Sequence, residues 1–165
     1  GHARDAVVGE YDFIFHTLNQ RFENEKSADV IYTDEDKVSS DRKHFFDPNF
    51  KPDYNSELLM SCNYITHFFV VKKDIVERVG MMNPLFDGSQ DYDFILRCTK
   101  AATQIAHISK ILYHWRSHGM STAMSPEAKK YCYEAGEKVL QQAVIRNGED
   151  GEAYQQESWG RKIQG

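Results

Sequence analysis

Long apolar runs, long basic runs and closely paired cysteines are all missing from this 165-residue chain. The longest apolar stretches are four or five residues, as in Phe68 to Val71, far short of the roughly 20 needed to cross a bilayer. No run of Lys or Arg exceeds two residues and the formal net charge is −5. Such a field repels a nucleic-acid backbone, so nucleic acid is not an expected partner. Cys62, Cys98 and Cys132 are odd in number and far apart, without the spacing of a zinc knuckle or redox motif. They read as free thiols in a reducing cytoplasm. The opening Gly1-His2 has neither an initiator Met nor a signal-peptide pattern and reads as a remnant of tag removal, so the natural polypeptide is expected to start earlier.

What is present suits one ordered domain: 41% hydrophobic and 13% aromatic residues, with 27% charged residues of both signs. Tyr11, Ile14, Phe15, Leu18 and Phe22 recur at helical spacing and predict a helix over 10–23. Val30 to Thr33 predicts a buried strand that delivers Asp34-Glu35-Asp36 at its carboxyl end, where α/β sheets place ligands. Residues 37–61, with Pro48 and Pro52, read as a long ordered loop. Asn63 to Lys72 reads as the strongest strand, followed by a helix from Asp74 to Val79 that Gly80 ends, with Asp74 as its cap or first-turn acid. Gly88 supplies a turn and Ser89 an N-cap for a helix reaching Ala101. Gln104 to Ile108 and Ile111 to Arg116 read as two short strands. A last helix runs from Pro126, capped by Ser125, to an Asn147-Gly148 stop. The fold class expected is α/β, a mixed sheet flanked by helices, with too few strand–helix alternations for a complete doubly wound domain.

Three clusters can carry chemistry. Asp34 and Asp36 are two apart, and strand alternation points both the same way, so they can hold a hard divalent cation, or simply sit in a solvated turn. Gln90-Asp91-Tyr92-Asp93 opens a helix, whose N–H groups keep a carboxylate ionised and fit to act as a base; a plain capping device uses the same residues. Asp91 and Asp93 do not face each other and are no carboxylate dyad. Tyr113-His114-Trp115-Arg116-Ser117-His118 puts His114, Arg116 and His118 on one side of a strand, offering imidazoles to a metal and a guanidinium to phosphate. Core or surface packing is the alternative for Trp115 and the histidines.

In order, Asp29-Val30-Ile31-Tyr32-Thr33-Asp34-Glu35-Asp36-Lys37, Phe50-Lys51-Pro52-Asp53-Tyr54, Asn63-Tyr64-Ile65-Thr66-His67, Phe86 to Asp93 with Arg97, and Tyr113 to His118 with Ser121-Thr122 form five blocks. This set resembles the family 2 inverting glycosyltransferases of the GT-A fold, in the bacterial branch that builds surface polysaccharides. The resemblance spans Tyr11 to Ala123 and implies a partial GT-A-like sheet in 10–148, the acceptor-side part of the domain, with 1–9 a remnant and 149–165 a polar tail. It implies Asp91 as catalytic base, Gln90, Trp115 and Arg116 as substrate contacts, and His118 as a metal ligand for Mn or Mg, to which the spacing of Asp34 and Asp36 adds those two carboxylates. The implied partners are a nucleotide-diphosphate sugar donor and a saccharide or lipid-linked saccharide acceptor, at the inner face of the membrane. The family's metal-binding Asp-x-Asp segment falls one strand earlier than Asp34, where this chain reads Ala3-Arg4-Asp5-Ala6. Two further readings stay open: a metal-dependent phosphoryl-transfer or hydrolase domain, and a non-catalytic glycan-binding module.

With the nucleotide-holding half expected upstream, the chain should bind nucleotide-sugar weakly or not at all, and should self-associate through an exposed sheet edge or apolar face. Calorimetric titration of uridine, guanosine and thymidine diphosphates with manganese checks the first, with binding expected only in a chain extended upstream. Light scattering checks the second, and a monomer that binds nucleotide tightly refutes both.

Overall fold

The structure is a computed structural model that describes residues 6–7, 28–117 and 126–154, with side chains over 28–117 and 130–154. The helix expected over 10–23, the Ser125 cap, Ser121-Thr122 and His118 lie outside the described residues. The architecture is mixed α/β. In chain order the elements are β1 (Ala6–Val7), β2 (Val30–Val38), β3 (Phe45–Asn49), α1 (Ser56–Ser61), β4 (Phe69–Val71), α2 (Lys73–Val79), a 3₁₀ turn (Pro84–Phe86), α3 (Gln90–Ala101), β5 (Ile105–Arg116) and α4 (Pro126–Asn147).

The five strands form one sheet in the order β1-β5-β2-β3, with β4 also pairing with β2. β2 runs parallel to β5 and antiparallel to β3 and β4, so three strands are built directly on it, while β1 pairs with β5. Alternation along β2 sends Tyr32 to one face, where it packs with Leu59, Ile65, Tyr92, Ile95, Leu96 and Val139. Ile31 goes to the other, with Ala28, Ile108 and Leu112. Each buried Leu, Ile or Val among them stabilises the fold by about 1.5–3 kcal/mol relative to exposure.

Several expectations need correction. β2 does not stop at Thr33; it continues through Asp34-Glu35-Asp36 to Val38, so the acidic cluster lies inside a strand. The stretch 37–61 contains β3 and α1, the latter capped by Asn55, whose side chain accepts from the Leu58 N–H. The strand expected from Asn63 shrinks to Phe69–Val71. Ahead of it Thr66 has φ 41°, which no strand residue adopts. The two strands expected across 104–116 are one long strand, and the break appears only as irregular pairing between Thr33 and Glu35 of β2. Ser89 stands at the N-cap position of α3 but makes no capping bond; its hydroxyl donates instead to the Cys132 carbonyl of α4 at 3.0 Å.

α3 carries its own anchor. It buries Tyr92, Asp93, Ile95, Leu96, Cys98 and Thr99, the spacing of one helical face. Buried Asp93 pairs with Arg97 at 2.8 Å, and Arg146 of α4 reaches it at 3.5 Å. Arg97 also donates to the carbonyls of Val79, Gly80 and Met81, tying α3 to the end of α2. Gly88, with φ 92°, forms the turn before α3; a Cβ there would fall 2.6 Å from the Tyr131 ring of α4. All three cysteines are free, and burial pushes the Cys98 thiol up to about 11.

Asp29 closes the start of the sheet. Its carboxylate accepts from the Thr103 N–H at 2.7 Å, the Gln104 N–H at 3.2 Å and the Lys72 ammonium at 3.0 Å. The Thr103 N–H first, and Lys72 next, hold its pKa far below the ordinary aspartate range against the opposing effect of burial. A depressed folded pKa contributes stability that is complete above the unfolded value of ~3.9 and disappears as pH falls below it. Asp29→Asn should therefore cost about 2 kcal/mol near neutrality. It should also flatten the fall in stability below about pH 4, as read by urea unfolding at a series of pH values.

Candidate active site

β2 hands its acidic residues to both faces of the sheet. Asp34 is only 3% exposed, and its Oδ1 accepts the Lys51 N–H at 2.9 Å and meets His107 Nε2 at 2.8 Å. That imidazole lies flat against Tyr32, ring centroids 4.8 Å apart, and its Nδ1 is 3.3 Å from Asp53. Asp36, 8% exposed, is hydrogen-bonded to His114 Nδ1, with Phe45 edge-on to the imidazole. Each aspartate nominated for metal thus has its Oδ1 engaged by a histidine of β5, a donor set better suited to a sheet tie than to a shared cation. Among the described residues no three His, Cys, Asp or Glu side chains converge as a metal-binding group.

The irregular pairing at Asp34 leaves Glu35 on the same side as Asp34, the face of Tyr32 and α3, while Asp36 and His114 take the other, so Asp34 and Asp36 do not point the same way as alternation predicts. Glu35 organises a second cluster there. Its Oε1 accepts from the Thr66 hydroxyl at 3.0 Å and the Asn49 amide at 3.4 Å. Its Oε2 lies 3.0 Å from His67 Nδ1 and 3.5 Å from the Lys51 ammonium. Burial alone would raise the Glu35 carboxyl. The His67 hydrogen bond, the Lys51 charge and the Thr66 hydroxyl outweigh it and hold the pKa below the ordinary value. The Lys51 ammonium has no exposed surface; it donates to the Ile65 carbonyl at 2.5 Å and to that of His67. His67 in turn stacks flat on Tyr113, centroids 4.7 Å apart, and lies 6.2 Å from Trp115. Lys37 sits 5.9 Å over the Trp115 ring, so β5 alternation places Tyr113 and Trp115 on this face and His114 on the other.

Asp91 joins the same network. It is exposed in the first turn of α3, where helix N–H groups favour a carboxylate. Asn63 Nδ2 donates to Asp91 Oδ2 at 3.5 Å, and the Thr66 N–H donates to Asn63 Oδ1 at 3.3 Å. A chain of hydrogen bonds therefore runs Asp91, Asn63, Thr66, Glu35, His67 and ends at the aromatic pair. Gln90 Oε1 and Arg116 Nε are buried without a hydrogen-bond partner among the described residues. Such orphaned groups call for an explanation, and a bound ligand is one.

The structure brings Asp91 and Trp115 into one network, ties Asp34 and Asp36 to His107 and His114 with Lys51 shared between Asp34 and Glu35, and leaves Gln90 and Arg116 with orphaned atoms among the described residues. Glu35, Lys51, Asn63 and His67 stand in the motif blocks of the sequence but were given no role there. Glu35 carried no signal of its own, because the irregular pairing at Asp34 breaks the strand alternation there; nothing local marks Lys51 as a buried cation. No helix among the described residues is long and apolar enough to cross a membrane.

No protein-family model matches the chain. It is 44% identical over 121 residues to the uncharacterized protein y4gI of Sinorhizobium fredii (strain NBRC 101917 / NGR234), a match covering 72% of this chain and 13% of that protein. It is 36% identical over 123 residues to the O-antigen biosynthesis protein RfbC of Myxococcus xanthus, covering 74% of this chain and 10% of that protein. The chain spans about a tenth of the length of these curated relatives, and is similar to one segment of each.

Proposed function

We propose that this chain is the acceptor-side part of an inverting, nucleotide-sugar-dependent glycosyltransferase of family 2 and GT-A type, serving polysaccharide assembly at the inner face of a bacterial membrane. The observation that carries the reading is Asp91: an exposed carboxylate at a helix start, hydrogen-bonded through Asn63 and Thr66 to Glu35 and so to the His67, Tyr113 and Trp115 rings. The orphaned Gln90 and Arg116 atoms support it, because a substrate hydroxyl and a phosphate oxygen would satisfy them. So does the segment shared with a protein named for O-antigen biosynthesis.

In this reading Asp91 removes the proton from an acceptor hydroxyl as that oxygen attacks the anomeric carbon and the nucleotide diphosphate departs from the opposite side. The aromatic rings supply flat apolar faces for sugar C–H groups, and the Asn63 amide holds the base in place between turnovers. A divalent cation, Mn or Mg, belongs to the proposed reaction as a counter-charge for the diphosphate. Asp34 and Asp36, each occupied by a histidine, do not fit as its holders, and no step is assigned through them.

Asp91→Asn keeps the size of the side chain and removes the base. In a version extended upstream to include a nucleotide-binding half, it should lower transfer by 10²–10⁴-fold, the usual worth of a general base. Substrate binding should be retained, and the thermal midpoint should barely change, since an exposed first-turn acid contributes only about 0.3–1 kcal/mol. Radiolabelled sugar transfer and differential scanning calorimetry check the pair of outcomes. A glycan-binding module without catalysis predicts the same behaviour from both proteins.

A further inference from the structure

The loop that brings Asn63 to Asp91 carries His67 four residues later, and His67 is held from two directions. Its Nδ1 faces Glu35 Oε2 at 3.0 Å, and its ring lies on Tyr113 with only 7° between planes. Glu35 is saturated: its other oxygen takes the Thr66 hydroxyl and Asn49 amide, and the Lys51 ammonium stands 3.5 Å away. A carboxylate beside a buried ammonium stays ionised and can only accept, so Nδ1 must carry the proton. The neutral imidazole then has its lone pair on Nε2. That atom has no hydrogen-bond partner among the described residues, and the side chain is 42% exposed. A surface histidine with packing duties alone needs no fixed tautomer; here a carboxylate, a buried lysine and an aromatic stack all serve to aim one nitrogen outward.

We propose that His67 Nε2 is a substrate contact of the Asp91 site, accepting a hydrogen bond from a saccharide hydroxyl, with Glu35 as the positioning residue that fixes its tautomer. This rests on the glycosyltransferase reading and adds a contact to it. The chemistry selects a hydroxyl over a phosphate. A lone pair backed by an ionised carboxylate repels an anionic oxygen and accepts from an O–H, and Tyr113 and Trp115 alongside offer faces to the sugar ring.

Two-bond proton–nitrogen correlation spectra of the chain, labelled with heavy nitrogen in histidine, read the tautomer directly. His67 should show the Nδ1–H form, and Glu35→Gln should convert it to a mixture, which loss of packing alone would not do. Methyl glycosides of glucose, galactose, mannose and N-acetylglucosamine are the probes. With at least one, the Nε2 resonance should move saturably. His67→Phe, which keeps the stack and removes both nitrogens, should weaken that glycoside about fivefold, the worth of one hydrogen bond. His67→Gln should restore part of the loss. A glycoside that shifts the Asp91 and Asn63 signals while leaving His67 unmoved, and binds His67→Phe equally well, overturns the contact and leaves the glycosyltransferase reading intact. If no glycoside perturbs any residue of the network, the saccharide site itself is refuted and the contact falls with it.

Discussion

The buried ammonium of Lys51 is the constraint on which the site depends. With no exposed surface, it must find oxygen partners or cost several kcal/mol. It finds the carbonyls of Ile65 and His67 and the carboxylate of Glu35. Burial pulls the lysine pKa below its ordinary value, and Glu35 and Asp34 recover part of the shift. The same residue gives its backbone N–H to Asp34. One side chain and one amide therefore lock three segments together: the stretch after β3, the 63–67 loop and the middle of β2. Glu35 is oriented by that lock, His67 and Thr66 by Glu35, and Asn63 by Thr66.

The middle of β2 serves two masters because its pairing with β5 is irregular at Asp34. Asp34 meets His107 on the Tyr32 face and Asp36 meets His114 on the Ile31 face; both histidines belong to the neighbouring strand, so these bonds fasten the sheet. Glu35, on the Tyr32 side, faces a loop and an aromatic pair. Three consecutive acids thus divide into two structural ties and one organiser of the cluster that reaches Asp91.

Much of this was legible in the chain before any fold was drawn. α2, α3 and α4 follow their hydrophobic periods, and their ends follow Gly80, Gly88 and Gly148, all at positive φ. The place of Asp91 in the first turn of α3 was legible too, because acids cluster visibly where a helix begins. What failed to show were features decided by distant partners. Asn63 to Lys72 has a strand's composition, yet the Ile65 and His67 carbonyls are taken by Lys51, so its first half cannot join the ladder. The 37–61 stretch has little period of its own, and β3 forms there because β2 offers an edge. Charge runs were read as a strand end, although His107 and His114, more than 70 positions away, let β2 continue through them.

The parallel pairing of β2 with β5 joins residues some 75 positions apart, as Val30 meets Ile105 and Glu35 meets Tyr113. Closing so large a loop is entropically costly and repaid only once the strands are aligned. His67 acquires its carboxylate from one of those strands and its stacking ring from the other. The His67 cluster therefore exists only where β2 and β5 stand in register.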